Sequence, residues 1–313
     1  MREVSFGKVQ LFGAEFKIST SLMMLAFLLF NAGLGIKVTE LKQVFSKSQV
    51  VLSAFAANTI IPIAVVFLLR GVVGLWHNSD ELQSLLTGIA LIVAMPVAGS
   101  SAAWSQNANG NLSLSIGLIL LSTIFSPLIT PYTLHTFSLI TTGDYSEDLQ
   151  ELADQGANAF MCLTVVLPSL AGIVLHFVLG EERTASFKPV FKLINFIFLL
   201  TLNYTNAVTS LPNAIRHPDY DFLLFILAAV IFMCFTTFGC GWFLSKLFKT
   251  DKADMASLMF GLGMNNNGTG LVLATTALSD HHAVFLPMIF YTLVQQIIAA
   301  VVDRKMFQND DDG

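Results

Sequence analysis

Two short stretches of this 313-residue sequence carry side chains able to bind an ion or a small polar solute. The first reads Met95-Pro96-Val97-Ala98-Gly99-Ser100-Ser101-Ala102-Ala103-Trp104-Ser105-Gln106-Asn107. The second reads Gly261-Leu262-Gly263-Met264-Asn265-Asn266-Asn267-Gly268-Thr269-Gly270. Both lie inside long apolar runs. Pro removes a backbone donor and clashes with the preceding turn, and Gly lowers the cost of unwinding. Each stretch is therefore expected to break a helix and free backbone N–H and C=O groups. A half-helix N-terminus carries partial positive charge and suits an anion, whereas unwound carbonyls suit a cation. Each amide side chain adds two donors and an acceptor, so Asn265, Asn266 and Asn267 point to binding rather than packing. Ser113, Ser115, Ser122 and Thr123 on the following run fit close helix packing as well as a site.

The elements that hold these stretches follow from composition. The chain is 54% hydrophobic and 12% charged, with a mean hydropathy of +0.70. Soluble domains carry about 25% charged residues, so the chain reads as an all-α polytopic membrane protein in contact with lipid. A span needs about 20 apolar residues. Nine runs qualify, at about 18–36, 50–69, from 82 with a break at Pro96, 112–140, 157–179, 190–211, 222–244, 255–278 with a break at 263–268, and 284–302. One interruption in each half of such a chain points to the binding site of a secondary transporter. Lys37, Lys42, Lys47, Arg183, Lys188, Lys246, Lys249, Lys252, Arg304 and Lys305 fall in connections that share one side, which is then cytoplasmic and includes the C-terminus. Residues 1–17 lack a signal-peptide core, an interfacial helix being the alternative, and Asp310, Asp311 and Asp312 read as a solvated tail.

Other polar residues are weaker candidates. Asn58 and Thr59, the 203–206 stretch Asn-Tyr-Thr-Asn, and Gln295 and Gln296 are expected to face the bundle interior. Asn31 suits a backbone partner, His176 a structural role near the cytoplasmic end, and His281 and His282 a solvated turn. His135 is the one deep-lying His expected. Acids outnumber Lys and Arg by 21 to 16, which argues against a nucleic-acid partner. No paired Asp, Ser–His pair or His-rich motif stands at membrane depth, so an enzyme is not expected. Cys162, Cys234 and Cys240 lie outside both interruptions, against a metalloid carrier with a core thiol.

At these residues the chain resembles the bile acid:sodium symporter family, including its bacterial and plastid members that carry small organic anions. Gly33-Leu34-Gly35-Ile36 with its Lys-rich connection resembles the end of the family's second helix. Residues 96–110, then Leu114-Ser115, Ser122-Thr123, Ser126-Pro127-Leu128 and Thr130-Pro131, follow its first crossover region. Leu167-Pro168 with Gly172 and His176 resembles its sixth helix, and Gly263-Met264-Asn265-Asn266 its second crossover.

The resemblance implies an inverted-repeat transporter with two broken, crossing helices and interleaved panel and core domains. The first repeat would cover about 18–140 and the second about 157–302 of a single unit spanning residues 1–313. The first span here matches the family's second helix, so nine spans and an external N-terminus are expected. It further implies a small organic anion, a carboxylate, as substrate, held by Gly99, Ser100, Ser101, Asn266 and Asn267 with Asn203 nearby. Sodium ligands carry over to Ser101 and Ser115, with Asn265 in place of a glutamine. Other family ligand positions have changed: an asparagine to Ala102, a threonine to Ile119, a carboxylate to Gly261 and a glutamine to Ala57. Sodium symport by alternating access is thus the family expectation. A sodium-independent uniporter or exchanger, or a proton-linked anion exporter, is the expectation from the missing ligands. No cofactor besides sodium is implied, a bacterial inner membrane is the expected location, and the sequence is silent on oligomeric state.

Overall fold

The computed structural model describes residues 5–11, 14–36, 47–216, 218–278 and 280–308. Lys37, Lys42 and the acidic residues 310–312 lie outside them. The described chain is helical apart from one hairpin. β1 (Ser5–Leu11) pairs antiparallel with β2 (Ala14–Ser19), Lys8 opposite Lys17 and Val9 opposite Phe16. This corrects the interfacial-helix alternative: polar and apolar residues alternate here with the period of a strand.

The helices follow in order: α1 (Thr20–Leu34), α2 (Ser48–Val73), α3 (Ser79–Val93), α4 (Ser100–Asn107), α5 (Leu112–Ser138), α6 (Asp144–Glu151), α7 (Ala157–Phe160) and α8 (Leu167–Arg216). After them come α9 (Tyr220–Phe248), α10 (Lys252–Gly263), α11 (Asn267–Ala277) and α12 (Phe285–Val302). A polar residue caps the N-terminus of many. Ser19, Asn78, Asn111, Asp219, Asp251 and Asn266 accept from backbone N–H groups of α1, α3, α5, α9, α10 and α11.

This is a polytopic membrane protein. Segments 48–68, 112–138, 144–187, 220–248 and 282–308 are each long and apolar enough to cross a bilayer, and Thr20–Leu34 and Pro189–Leu202 are shorter apolar helices. Two broken elements, α3 with α4 and α10 with α11, complete the set among the described residues. Two boundaries differ from the hydropathy reading. The acidic stretch before residue 157 is helical, running from α6 through π-turns at Leu152–Gly156 and Met161–Val166. The connection at 180–189 is helical as well, the direction changing only at Gly180, where φ is 78°. Charge pattern, not helix propensity, set those expected boundaries.

Helices α1 and α8 cross backbone to backbone. A Cβ on Gly33 would collide with the Ser169 carbonyl oxygen, and one on Gly172 with the Phe30 carbonyl oxygen. His176 Nδ1 lies 2.8 Å from the Leu34 carbonyl and ties the same crossing at its end. Replacing Gly172 with Ala should therefore force the helices apart and cost about 1–3 kcal/mol. A clearly lower melting temperature in detergent is the expected result, with Gly35→Ala, whose nearest atom is 3.4 Å away, close to wild type.

The two ends of the bundle are closed by different polar sets. At one end Lys47 pairs with the buried Asp254 at 2.5 Å, and Asn111 Nδ2 donates to the same carboxylate at 2.8 Å. At the other, Trp76 stacks on Phe225 with centroids 4.0 Å apart and donates to Glu81. There too Ser84 meets Tyr145 at 3.0 Å, and His281 pairs with Asp148 at 3.0 Å. His281 is thus half-buried and partnered, correcting the expected solvated turn, while His282 is exposed. His135 is corrected as well: it stands exposed in the last turn of α5 rather than deep in the bundle.

Candidate functional site

The two helix breaks meet. Between α3 and α4 the chain extends through Val97, and between α10 and α11 through Asn265; these two residues pair as an antiparallel bridge. Ala98 N–H donates to the Met264 carbonyl and Asn266 N–H to the Pro96 carbonyl, both at 2.9 Å. Pro96 lacks an N–H, so it enters this miniature ladder only as an acceptor.

Backbone groups freed at membrane depth must find partners, and surrounding side chains supply them. Ser122 Oγ accepts from Val97 N–H at 3.0 Å, and Thr130 Oγ1 donates to the Ala94 carbonyl at 2.7 Å. Gln295 of α12 reads Asn265 from its other edge: Oε1 accepts from the Asn265 N–H at 3.2 Å and Nε2 donates to its carbonyl at 3.4 Å. Asn265 Nδ2 donates to the Ile92 carbonyl at 3.1 Å. Much of the hydroxyl and amide content near the breaks therefore holds the crossing itself.

What remains open is informative. Ser101 Oγ, Ser115 Oγ, Asn265 Oδ1, Thr269 Oγ1 and both polar atoms of Asn267 are buried without a hydrogen-bond partner. Ser101 lies on α4, Ser115 on α5, and the others on or beside α11; α4, α5 and α10 pack against one another. Leaving such groups unpaired costs about 1–3 kcal/mol each, a cost expected where a bound ligand completes them. Asn266 is half-buried and caps α11, its Oδ1 accepting from Thr269 N–H at 3.4 Å. Asn203 lies on α8, with its side chain outside the described residues. Thr269 was not among the sequence candidates, although its place two residues beyond the Asn run marks it.

The cation question turns on Gly261. A Cβ there would meet Leu118 Cδ1 at 2.8 Å, so α5 fills the direction a side chain would take with hydrocarbon. Neither 91–107 nor 255–278 contains Asp or Glu. The buried oxygens suit a hard cation in kind, but no negative charge offsets its desolvation. These residues do not fit a charge-compensated sodium site.

Toward the Lys47 end, α4 packs on α10 through polar and aromatic contacts. Ser105 and Ser257 share a hydrogen bond of 2.7 Å, Trp104 stacks on Phe260, and Trp104 Nε1 donates to Gln296 Oε1 at 2.9 Å. The opposite face of α4 is open: Gly99, Ser100, Ala103, Gln106 and Asn107 are exposed. On the α2 side of the crossing, a narrow cleft of only about 10 Å³ is lined by Asn58, Thr59, Pro96, Ser122 and Ser126 among others.

A family model, the sodium bile acid symporter family, matches residues 22–217. The chain belongs to this family. It is thus a membrane protein of a transporter family, sodium-dependent or related. The matched segment contains the first break, and two relatives from Bacillus subtilis (strain 168) are similar over most of the chain. The uncharacterized protein YbaS is 28% identical over 277 residues, 88% of this chain and 85% of the relative. The uncharacterized sodium-dependent transporter YocS is 23% identical over 265 residues, 84% of this chain and 75% of the relative. The family resemblance read from the two interruptions is therefore borne out.

Proposed function

We propose that the protein is a secondary transporter for a small organic anion, a carboxylate, working by alternating access about the crossing. The carrying observation is that the N-termini of α4 and α11 converge there with no carboxylate in residues 91–107 or 255–278. Both half-helix dipoles thus point their positive ends at one place, and an anion is the ligand that gains most from it. Gly99, Ser100 and Ser101 would hold the carboxylate at the α4 end, with Asn266 and Asn267 opposite.

The exposed face of α4 supports an inward-open state. Ser100 and Gln106 would be unsatisfied against lipid, so their exposure is read as an aqueous cavity open to the Lys47 end. The cation-rich connections make that end cytoplasmic. On the other side of the crossing, residues 83–93 of α3 and 269–274 of α11 are buried. A bacterial inner membrane with a cytoplasmic C-terminus completes this reading. Sodium symport is the second reading, favoured by the buried oxygens of Ser101, Ser115 and Asn265 and by the name of YocS.

The test is uptake of a labelled small-carboxylate panel into proteoliposomes, with and without an inward sodium gradient. At least one carboxylate should accumulate in the lumen. Asn266→Ala should reduce its uptake at least about tenfold, equivalent to about 1.4 kcal/mol. Near-normal uptake by a well-folded Asn266→Ala protein would remove Asn266 from the site.

A further inference from the structure

The end of the bundle opposite Lys47 carries a polar cluster that the crossing does not use. Tyr145, in the first turn of α6, is its centre. Its hydroxyl meets Ser84 Oγ of α3 at 3.0 Å, and its ring lies against the His281 imidazole with centroids 4.3 Å apart. One turn on, Asp148 pairs with His281 Nε2 at 3.0 Å. Beside them Gln83 Oε1 accepts from Thr142 N–H at 2.9 Å. Gln83 and Ser84 are 7% and 1% exposed, and Leu149 of α6 is buried as well, so this is a packed seam rather than a set of solvated side chains.

What the seam joins follows from chain order. Gln83 and Ser84 stand near the start of α3, whose other end leads through Pro96 into the crossing. His281 follows α11 and is tied back to it by an N–H donated to the Leu278 carbonyl at 3.1 Å; α11 itself starts at the crossing with Asn267. One half-helix from each break, each about 15 Å long between crossing and seam, therefore ends on α6. In turn α6 opens the 144–187 span, whose other half makes the close crossing with α1 at Gly172 and His176. The seam is thus where the two broken elements meet the helix that carries α1.

The connection from α5 into α6 is built to turn. It runs through 139–143 and ends at Gly143, where φ is 59° and no atom lies within 4 Å of the position a Cβ would take. Glycine adopts that backbone without strain and leaves α6 room to swing about the end of α5. The contacts across the seam are of a releasable kind. Water can replace a hydrogen bond or an ion pair when the two sides part, whereas the backbone-to-backbone joint at Gly172 has no such substitute.

We propose that this seam is the outer gate of the protein, latched by Tyr145 and Asp148. The gate deepens the transporter reading above and rests on it. The exposed face of α4 marks the opposite side as open, so the seam is the closed side. Admitting a solute from outside requires α6 to part from α3 and from His281, and these are the contacts that must break for it to do so. Because α3 and α11 both run from the seam to the crossing, release frees both half-helices together.

The experiment has two arms, the first without substrate. Hydrogen exchange read by mass spectrometry compares purified wild type with Tyr145→Phe/Asp148→Ala, which removes the contacts to Ser84 and His281. The ratio of outward-open to inward-open protein should rise about 5–30-fold. Exchange should then quicken at 83–86, 142–151 and 280–284 and slow at 99–107, because opening the outer side closes the cavity along α4. Quickening at the seam with no change at 99–107 makes the cluster a local staple and overturns the gate, as does no change anywhere. In the second arm, Asp148→Cys sets a thiol beside His281, a pair that suits cadmium. Cadmium on both sides of proteoliposomes should abolish uptake of the carboxylate panel by this variant, and a chelator should restore it. Wild type and Asp148→Cys/His281→Ala should be insensitive. Uptake by Asp148→Cys that continues undiminished in cadmium overturns the gate. If no carboxylate is carried even without cadmium, the transporter reading is what falls, and the exchange arm still decides whether the two ends open reciprocally.

Discussion

Replacing Gln295 with leucine should clearly destabilise the fold, because its amide is spent on the backbone of Asn265. Its amide accepts from the Asn265 N–H and donates to the Asn265 carbonyl, which also accepts from Asn267 N–H. Leucine would fill similar volume yet leave the Asn265 N–H buried and unpaired, at about 1–3 kcal/mol, while the carbonyl keeps the Asn267 N–H at 2.9 Å. A loss of about 1–3 kcal/mol is a large part of the margin of many proteins, about 5–15 kcal/mol. Asn265→Ala provides the contrast. It removes the bond to the Ile92 carbonyl, which still accepts from Met95 N–H at 3.2 Å, so the loss should be nearer 1 kcal/mol. Melting temperatures in detergent should rank wild type, then Asn265→Ala, then Gln295→Leu lowest. The reverse order would mean that the Asn265 side chain, not the α12 amide, clamps the crossing.

Gln295 also marks where sequence reasoning stops. The breaks at Pro96 and at 263–268 are legible because helix breakers inside an apolar run destabilise a continuous span and so mark an interruption. That Asn265, Asn266 and Asn267 belong to a special place is legible from the cost of burying three amides at that depth. Their division of labour is not: Asn265 is spent partly on Ile92, Asn266 on capping α11, and Asn267 alone keeps both polar atoms open. Those assignments depend on partners up to 173 residues away in the chain, and no local pattern encodes them. Ser122 and Thr130 are similar cases, since a hydroxyl on a membrane helix looks the same whether it serves packing, a ligand or a distant backbone. Asp254 and Asp303 escaped notice because both sit at helix ends, where hydropathy treats a charge as solvated. Burial there comes from α10 and α12 packing against neighbours, which is tertiary information. The helical course through 144–156 and 180–189 was hidden by its charges in the same way.

The second large effect should appear on restoring charge at the crossing. Gly261→Glu alone has no room, because the new Cβ would lie 2.8 Å from Leu118 Cδ1. Leu118→Ala removes that obstacle at a cost of about 2–5 kcal/mol for a buried leucine, so the single Leu118→Ala variant is the control. In the double variant a carboxylate would enter the space between α5 and α10, on the side of the helix pair that carries Ser115. A carboxylate about 4 Å from a bound cation is worth up to about 4 kcal/mol at an effective dielectric of 20. Even a third of that is a tenfold gain in affinity, about 1.4 kcal/mol. The double variant should therefore gain a rise in melting temperature in sodium chloride over choline chloride, larger than the control shows, with sodium-stimulated uptake following. If a folded double variant gains neither, the open oxygens of Ser101, Ser115 and Asn267 do not surround a common point near Gly261. They would then serve the anion. A gain would show instead that the cation cradle persists here and that only its charge has been lost, with Leu118 filling the gap.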